Sequence, residues 1–265
     1  MEISASILNV DRENQNSTFY RLESAKIDYF HIDVMDGKFV ENVTTELMQE
    51  YADNIKGISS VPLDIHLMVE DVRKYIDLYL PCSPRNISFH IERSGKFEEN
   101  NAKFSTIDKK NVENYKFKNA NQENIQEENS NEFKKIIEQK LRSEEEIFQT
   151  IDYIKENDIK VSLAINPETD IENVYKFLPY IHGVLVMSVH PGKGGQEFIE
   201  NTVQKVKKLK NEIEKRDLET EIEVDGGINL DTIKEIKEFT DIAVVGKYLV
   251  DAKDYKYTVN SLKNC

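Results

Sequence analysis

Four short stretches of the chain place titratable or cation-binding side chains at every second position. His31 and Asp33 are followed at the same spacing by Met35, and Asp64, His66 and Met68 repeat the pattern. Ser88, His90 and Glu92 form a third set, and Glu221, Glu223 and Asp225 a fourth. Two imidazoles and two carboxylates meeting at one point would suit a divalent ion. Two carboxylates facing one carbon could also remove a proton and return it. A His-x-Asp pair is weak evidence by itself, because such pairs also serve as buried hydrogen-bonded couples. Convergence of His31, Asp33, His66 and Asp225 from three separate segments is what favours the metal. His90 and Glu92 read as supports behind that cluster or as a buried polar pair.

Spacing of two is the signature of a strand, whose alternate side chains share a face. Opposite each polar set stands an apolar one: Phe30, Ile32 and Val34; Ile65, Leu67 and Val69; Ile87, Phe89 and Ile91; Ile222 and Val224. The strands expected from this pattern cover 3–8, 29–35, 63–69, 86–92, 160–165, 183–189, 221–225 and 242–245. Helical periodicity fills most of the gaps, at 13–25, 45–55, 71–80, 143–156, 202–214 and 231–238. Strand–helix alternation of this length predicts a parallel sheet, and eight units predict closure into a (β/α)8 barrel of the TIM type. In an antiparallel sheet the polar faces would meet water. In a barrel wrapped by helices they point inward, where charge must be paired or metal-bound. Solvent enters only at the ends, so groups near the C-terminal ends of the strands are the site candidates.

Glycine usage points to the same rim. Six of the ten glycines, Gly192, Gly194, Gly195, Gly226, Gly227 and Gly246, follow the sixth, seventh and eighth expected strands. Pro191-Gly192-Lys193-Gly194-Gly195-Gln196 can wrap an anion with backbone N–H groups, and Gly226-Gly227 is expected to lead into a helix N-terminus. Each could be ordinary turn chemistry; together they favour a phosphorylated ligand. Residues 95–142 break the rhythm, being rich in Asn, Lys, Glu and Gln. Such a composition buries too little surface to offset its ordering entropy. We read it as a flexible insertion after the fourth strand of a single domain spanning 1–265, with a helix expected at 131–141.

The chain carries 35 Lys+Arg against 49 Asp+Glu, a net charge of −14. That excess disfavours nucleic acid, which needs a basic face, but leaves room for a small phosphorylated sugar. Two cysteines, Cys82 and Cys265, match no metal or redox spacing, which points to a reduced, cytoplasmic setting. No apolar run approaches the roughly 20 residues needed to cross a bilayer, so no membrane partner is expected. A homo-oligomer is expected.

Several of these stretches resemble the ribulose-phosphate 3-epimerase family. Ala5-Ser6-Ile7-Leu8 resembles its opening P-S-I-L, and His31 to Gly37 with Phe39, Val40 and Asn42 resembles H-x-D-V-M-D-G-x-F-V-P-N. Asp64 to Val69, Phe89 to Glu92, Asn166 to Thr169, Val186 to Val189, Pro191 to Gln196 and Val224 to Gly227 match further blocks in order. The resemblance implies a (β/α)8 barrel holding one divalent ion (Zn, Mn, Fe or Co) on His31, Asp33, His66 and Asp225. It implies interconversion of D-ribulose 5-phosphate and D-xylulose 5-phosphate, in the pentose phosphate pathway, with Asp33 and Asp225 as the catalytic acid/base pair. Ser6 and His66 would touch the sugar, and Met35, Met68 and Met187 would line the reacting carbon, although Met is also ordinary core filler. Gly192, Lys193, Gly194, Gly195, Gly226, Gly227, Gly246 and Lys247 would bind phosphate. Ala5, Glu41, His190 and Lys247 depart from the usual family residues. Lys247, where Ser is usual, could reinforce phosphate binding or retune which sugar fits. The alternatives are a 3-epimerase of another ketose phosphate, such as allulose 6-phosphate, and a non-catalytic sugar-phosphate binder.

Overall fold

Apolar side chains on alternate positions of a strand need a covering layer, and those on the opposite face need an enclosed one. In the computed structural model, which describes residues 1–92 and 143–265, eight parallel strands meet both needs by closing on themselves. They are β1 (Glu2–Ser6), β2 (Tyr29–Met35), β3 (Leu63–Met68), β4 (Asn86–His90), β5 (Lys160–Ile165), β6 (Gly183–Met187), β7 (Glu221–Asp225) and β8 (Ile242–Val245). Pairing of β1 with β8 shuts the ring, so the chain is a (β/α)8 barrel. The insertion expected at 95–142, with its helix at 131–141, lies outside the described residues.

Outside the ring run α1 (Gln15–Ser24), α2 (Thr45–Ile58), α3 (Val72–Tyr79), α4 (143–156), α5 (Asn201–Lys215), α6 (Thr232–Ile236), α7 (Lys247–Val250) and α8 (Tyr255–Lys263). The crossover from β5 to β6 has no α-helix, only short 3-10 turns at Ile171–Val174 and Leu178–Tyr180. Expected strands that overran, at 3–8, 86–92 and 183–189, did so because burial outlasts pairing. Ile7, Ile91 and Val189 are buried although they lie past the ends of their ladders. The short α7 and the closing α8 were not anticipated by periodicity.

The main core is the layer between strands and helices. There Ile32, Val34, Ile65, Leu67, Ile87 and Phe89 belong to one cluster with Phe19, Leu22, Tyr51, Ile76, Ile151 and Leu209, all fully buried. Each such side chain contributes about 1.5–3 kcal/mol through removal from water. A second, smaller cluster, Ala164, Leu185, Met187, Val189 and Val244, comes from the opposite faces of β5, β6 and β8. The polar faces of β2, β3 and β4 are buried as well, as is Glu223 on β7, and register sets their neighbours: His31 stands opposite Asp64, Asp33 opposite His66, and Met35 opposite Met68.

Candidate active site at the barrel mouth

Neutral imidazole holds one proton and one lone pair, so the partner of one nitrogen decides what the other can do. His31 Nδ1 lies 2.7 Å from Asp64 Oδ2, and Asp64 is itself held by Ser4 Oγ at 3.2 Å and Asn86 Nδ2 at 2.9 Å. In the neutral ring, an Nδ1–H donated to Asp64 leaves the lone pair on His31 Nε2, the form a cation would select. That nitrogen is buried and has no hydrogen-bond partner among the described residues; Asp33 Oδ1 is 3.5 Å away and Asp225 Oδ2 is 4.0 Å away. His66 Nδ1 faces the same two oxygens, at 3.3 Å and 3.8 Å. Ser6 Oγ donates to Asp33 Oδ2 at 2.7 Å, leaving Oδ1 to the imidazoles. One ligand atom each from His31, Asp33, His66 and Asp225 therefore lies within 4.8 Å of all the others.

Electrostatics divide the two aspartates. Burial works against charge on Asp33, but His31 and His66 outweigh it and hold the carboxyl well below the usual range. Burial and the neighbouring Asp33 charge push Asp225 up to about 7. Burial likewise favours neutral His31, yet Asp33 and Asp64 overcome it and raise its pKa well above normal. Burial, assisted by His90, pulls His66 down to about 4 despite Asp33. Burial and the neighbouring Asp64 push the Glu223 carboxyl well above the usual range.

These groups fit a divalent cation. An orphaned buried imidazole nitrogen, a second one facing a carboxylate, and two mutually repelling carboxylates all call for positive charge at the same place. A mixed N/O donor set admits several such ions.

Above this cluster opens a cavity of about 270 Å³. Its walls include Ser6, Asp33, Met35, Met68, Met187, Asp225, Gly226, Gly227, Gly246 and Lys247, together with residues 192–195. His31 and His66 are fully buried and do not line it. Asn9, Asn229 and Tyr248 do line it, and no motif pointed to them. Asn9 is informative: a Cβ on Gly194 would lie 2.3 Å from its Oδ1, so a larger residue there would have to displace the Asn9 side chain. Gly226 and Gly227 have φ of +120° and +63°, and a Cβ on Gly227 would lie 2.5 Å from the Phe198 backbone nitrogen.

The loop after β7 differs from expectation. Gly226-Gly227 does not run straight into a helix: α6 begins only at Thr232, and Asn229 Oδ1 already accepts the Asp231 and Thr232 N–H groups at 2.8 Å and 3.1 Å. Any anion there would meet loop N–H groups and not a free helix end. The loop after β6 is tied down. Asn42 Nδ2 donates to the Gly192 carbonyl at 2.6 Å, and Gln196 Nε2 donates to the His190 and Lys193 carbonyls at 2.7 Å and 2.8 Å. His190 itself pairs with Glu168 at 3.2 Å, on the exposed side. Lys247 lies along Gly195 and pairs with Asp251 one turn further on.

A family model described as the ribulose-phosphate 3 epimerase family matches residues 2–123 and 118–250. A ribulose-phosphate 3-epimerase of Helicobacter pylori is 28% identical over 265 residues, covering 100% of this chain and 97% of that relative. One from Aquifex aeolicus is 30% identical over 238 residues, covering 89% of this chain and 84% of that relative. Among solved structures, 3-keto-L-gulonate-6-phosphate decarboxylase from Vibrio cholerae superposes with a TM-score of 0.60 at 8% identity, covering 99% of this chain and 95% of that one. At that identity the likeness speaks for the barrel alone.

Proposed function

This chain belongs to the ribulose-phosphate 3-epimerase family, and on that premise we propose that it interconverts D-ribulose 5-phosphate and D-xylulose 5-phosphate by a two-aspartate proton transfer at C3. The observation that carries the reading is the convergence of Asp33 and Asp225 with two imidazoles beneath one cavity. Epimerisation beside a ketone removes a carbon-bound proton from one face of the sugar and returns a proton to the other. It therefore needs two groups on opposite sides of the reacting carbon, in different protonation states. In the metal-free site the two differ in proton affinity, Asp33 being held well below the usual carboxylate range and Asp225 pushed up to about 7.

His31, Asp33, His66 and Asp225 would hold a divalent ion, which when bound supplies Lewis-acid polarisation of the ketone and its neighbouring hydroxyl. Asp64 orients His31 and Ser6 orients Asp33, so both reach the centre with fixed geometry. Met35, Met68 and Met187 give the reacting carbon a polarisable, water-poor surround. The N–H groups of residues 192–195, Gly226, Gly227 and Gly246 would receive the phosphate, and Lys193 and Lys247 would add charge at the same rim. The reaction consumes no second substrate and requires no nucleic-acid or membrane partner; among the described residues no helix is long and apolar enough to cross a membrane.

Incubation with ribulose 5-phosphate in deuterated water tests the proposal directly. Xylulose 5-phosphate carrying deuterium at C3 is expected, with loss of turnover on chelation. Turnover of allulose 6-phosphate in preference to ribulose 5-phosphate would reassign the substrate while keeping the chemistry. Failure to turn over any ketose phosphate would leave a sugar-phosphate binder.

A further inference from the structure

Behind His66 runs a line of buried groups that proton transfer at the sugar does not use. His66 Nε2 lies 2.9 Å from His90 Nε2, the rings meeting edge to edge with centroids 5.0 Å apart and planes 30° apart. His90 Nδ1 lies 3.2 Å from Glu92 Oε2. Glu92 Oε1 accepts the Asn166 backbone N–H at 2.8 Å and the Thr169 hydroxyl. Lys205 Nζ pins that loop by donating to the carbonyls of Asn166, Pro167 and Thr169 at 3.0, 2.7 and 2.7 Å. All the side chains in the line are buried.

The line has a direction, set at its far end. A backbone N–H can only donate, so the atom at Glu92 Oε1 must be an acceptor, and a carboxylate then accepts at Oε2 as well. His90 must carry its proton on Nδ1 and its lone pair on Nε2. Two ring nitrogens at hydrogen-bond distance share one proton, which therefore belongs to His66 Nε2. That frees His66 Nδ1 to ligate a cation; without one, the same nitrogen is within hydrogen-bond distance of Asp33 Oδ1 at 3.3 Å and lies 3.8 Å from Asp225 Oδ2.

We propose that Glu92 and His90 are positioning residues that select the His66 tautomer able to ligate a cation through Nδ1. The inference rests on the metal reading of the site given above. Asp64 performs the same service for His31 with a single carboxylate, whereas His66 is served through an intervening imidazole.

Glu92→Gln is the sharp variant because it changes no shape. The Asn166 N–H keeps the amide oxygen at the Oε1 position, so the amide NH2 must face His90 Nδ1. That reverses the hydrogen bonds from residue 92 to His90 and from His90 to His66 and puts a proton on His66 Nδ1. Zinc affinity of the full-length, metal-stripped protein, read by competition with a chromophoric chelator, is expected to fall about 10–100-fold. Wild-type zinc binding with an unchanged affinity in Glu92→Gln would overturn the relay alone. Absence of stoichiometric zinc binding in the wild type would overturn the metal reading, and the relay with it. Nitrogen-15 ring shifts of the zinc-loaded wild type need no variant. They are expected to show His90 protonated on Nδ1 and His66 on Nε2, and a His90 proton on Nε2 would overturn the proposal.

Discussion

Two carboxyl groups of the same chemical type titrate differently in the metal-free site because their surroundings differ. Asp33 has Ser6 and two imidazoles around it, and Asp225 has chiefly the charge of Asp33 and its own burial. Removal of either acid/base group should cost about 10²–10⁴ in kcat. Asp33→Asn and Asp225→Asn are thus each expected to abolish practical turnover in a steady-state assay, and near-normal kcat in either would reject the two-base assignment. The raised Asp225 also has a stability signature in metal-free protein. Below its ordinary value of 3.8 it is protonated in both folded and unfolded chains and has no effect. As pH rises toward about 7 the unfolded chain ionises it more readily than the folded one, so stability falls. Asp225→Asn should therefore raise the melting temperature of the stripped protein more at pH 8 than at pH 5, as scanning calorimetry can measure. Lys247 is the third residue with a direct test. An exposed ammonium near a phosphate is worth about 0.2–1 kcal/mol, so Lys247→Ser should raise KM about 1.5–5-fold at low salt and less at high salt, with kcat unchanged.

At the scale of elements, the strands place the acid/base and imidazole groups and the loops place whatever would hold the anion. β2 supplies His31 and Asp33, β3 His66 and Asp64, β4 His90, and β7 Asp225 and Glu223, all with the apolar alternate positions turned to the helices. Alternation made this inward set readable before any coordinates. Loops are less legible, because their shape depends on neighbours distant in sequence. Nothing near Gly194 reveals Asn9, and nothing near Gly227 reveals Phe198. Gly227→Ala must leave a left-handed conformation or push back the 198 backbone, and such strain costs about 1–3 kcal/mol. Denaturant unfolding should register that loss, and KM for the phosphorylated substrate should rise, because the loop cannot shift without moving Gly226 beside Asp225. Retention of both wild-type stability and KM would show that the loop after β7 tolerates more than its packing implies.

For the molecule as a whole, closure is what turns four alternating strands into one site. A cation held by groups from β2, β3 and β7 ties together segments far apart in the chain, so binding should stabilise the entire fold. At free zinc 100-fold above Kd the gain is about 2.7 kcal/mol. The melting temperature of stripped protein should climb with zinc concentration, and His66→Ala should flatten that dependence. The sequence alone determined the order of the strands and of the helices up to α6, the inward face of each polar strand, and the donor types His31, Asp33, His66 and Asp225. Those features follow from local periodicity, which the chain carries wherever it folds. The tertiary structure alone decided which imidazole nitrogens are bare, that Asp64 and Glu92 dictate this, that Asp33 and Asp225 titrate apart, and that His66 sits out of the cavity wall. Proton positions and pKa values depend on ångström-scale separations between side chains from different strands, and only register and ring closure set those separations.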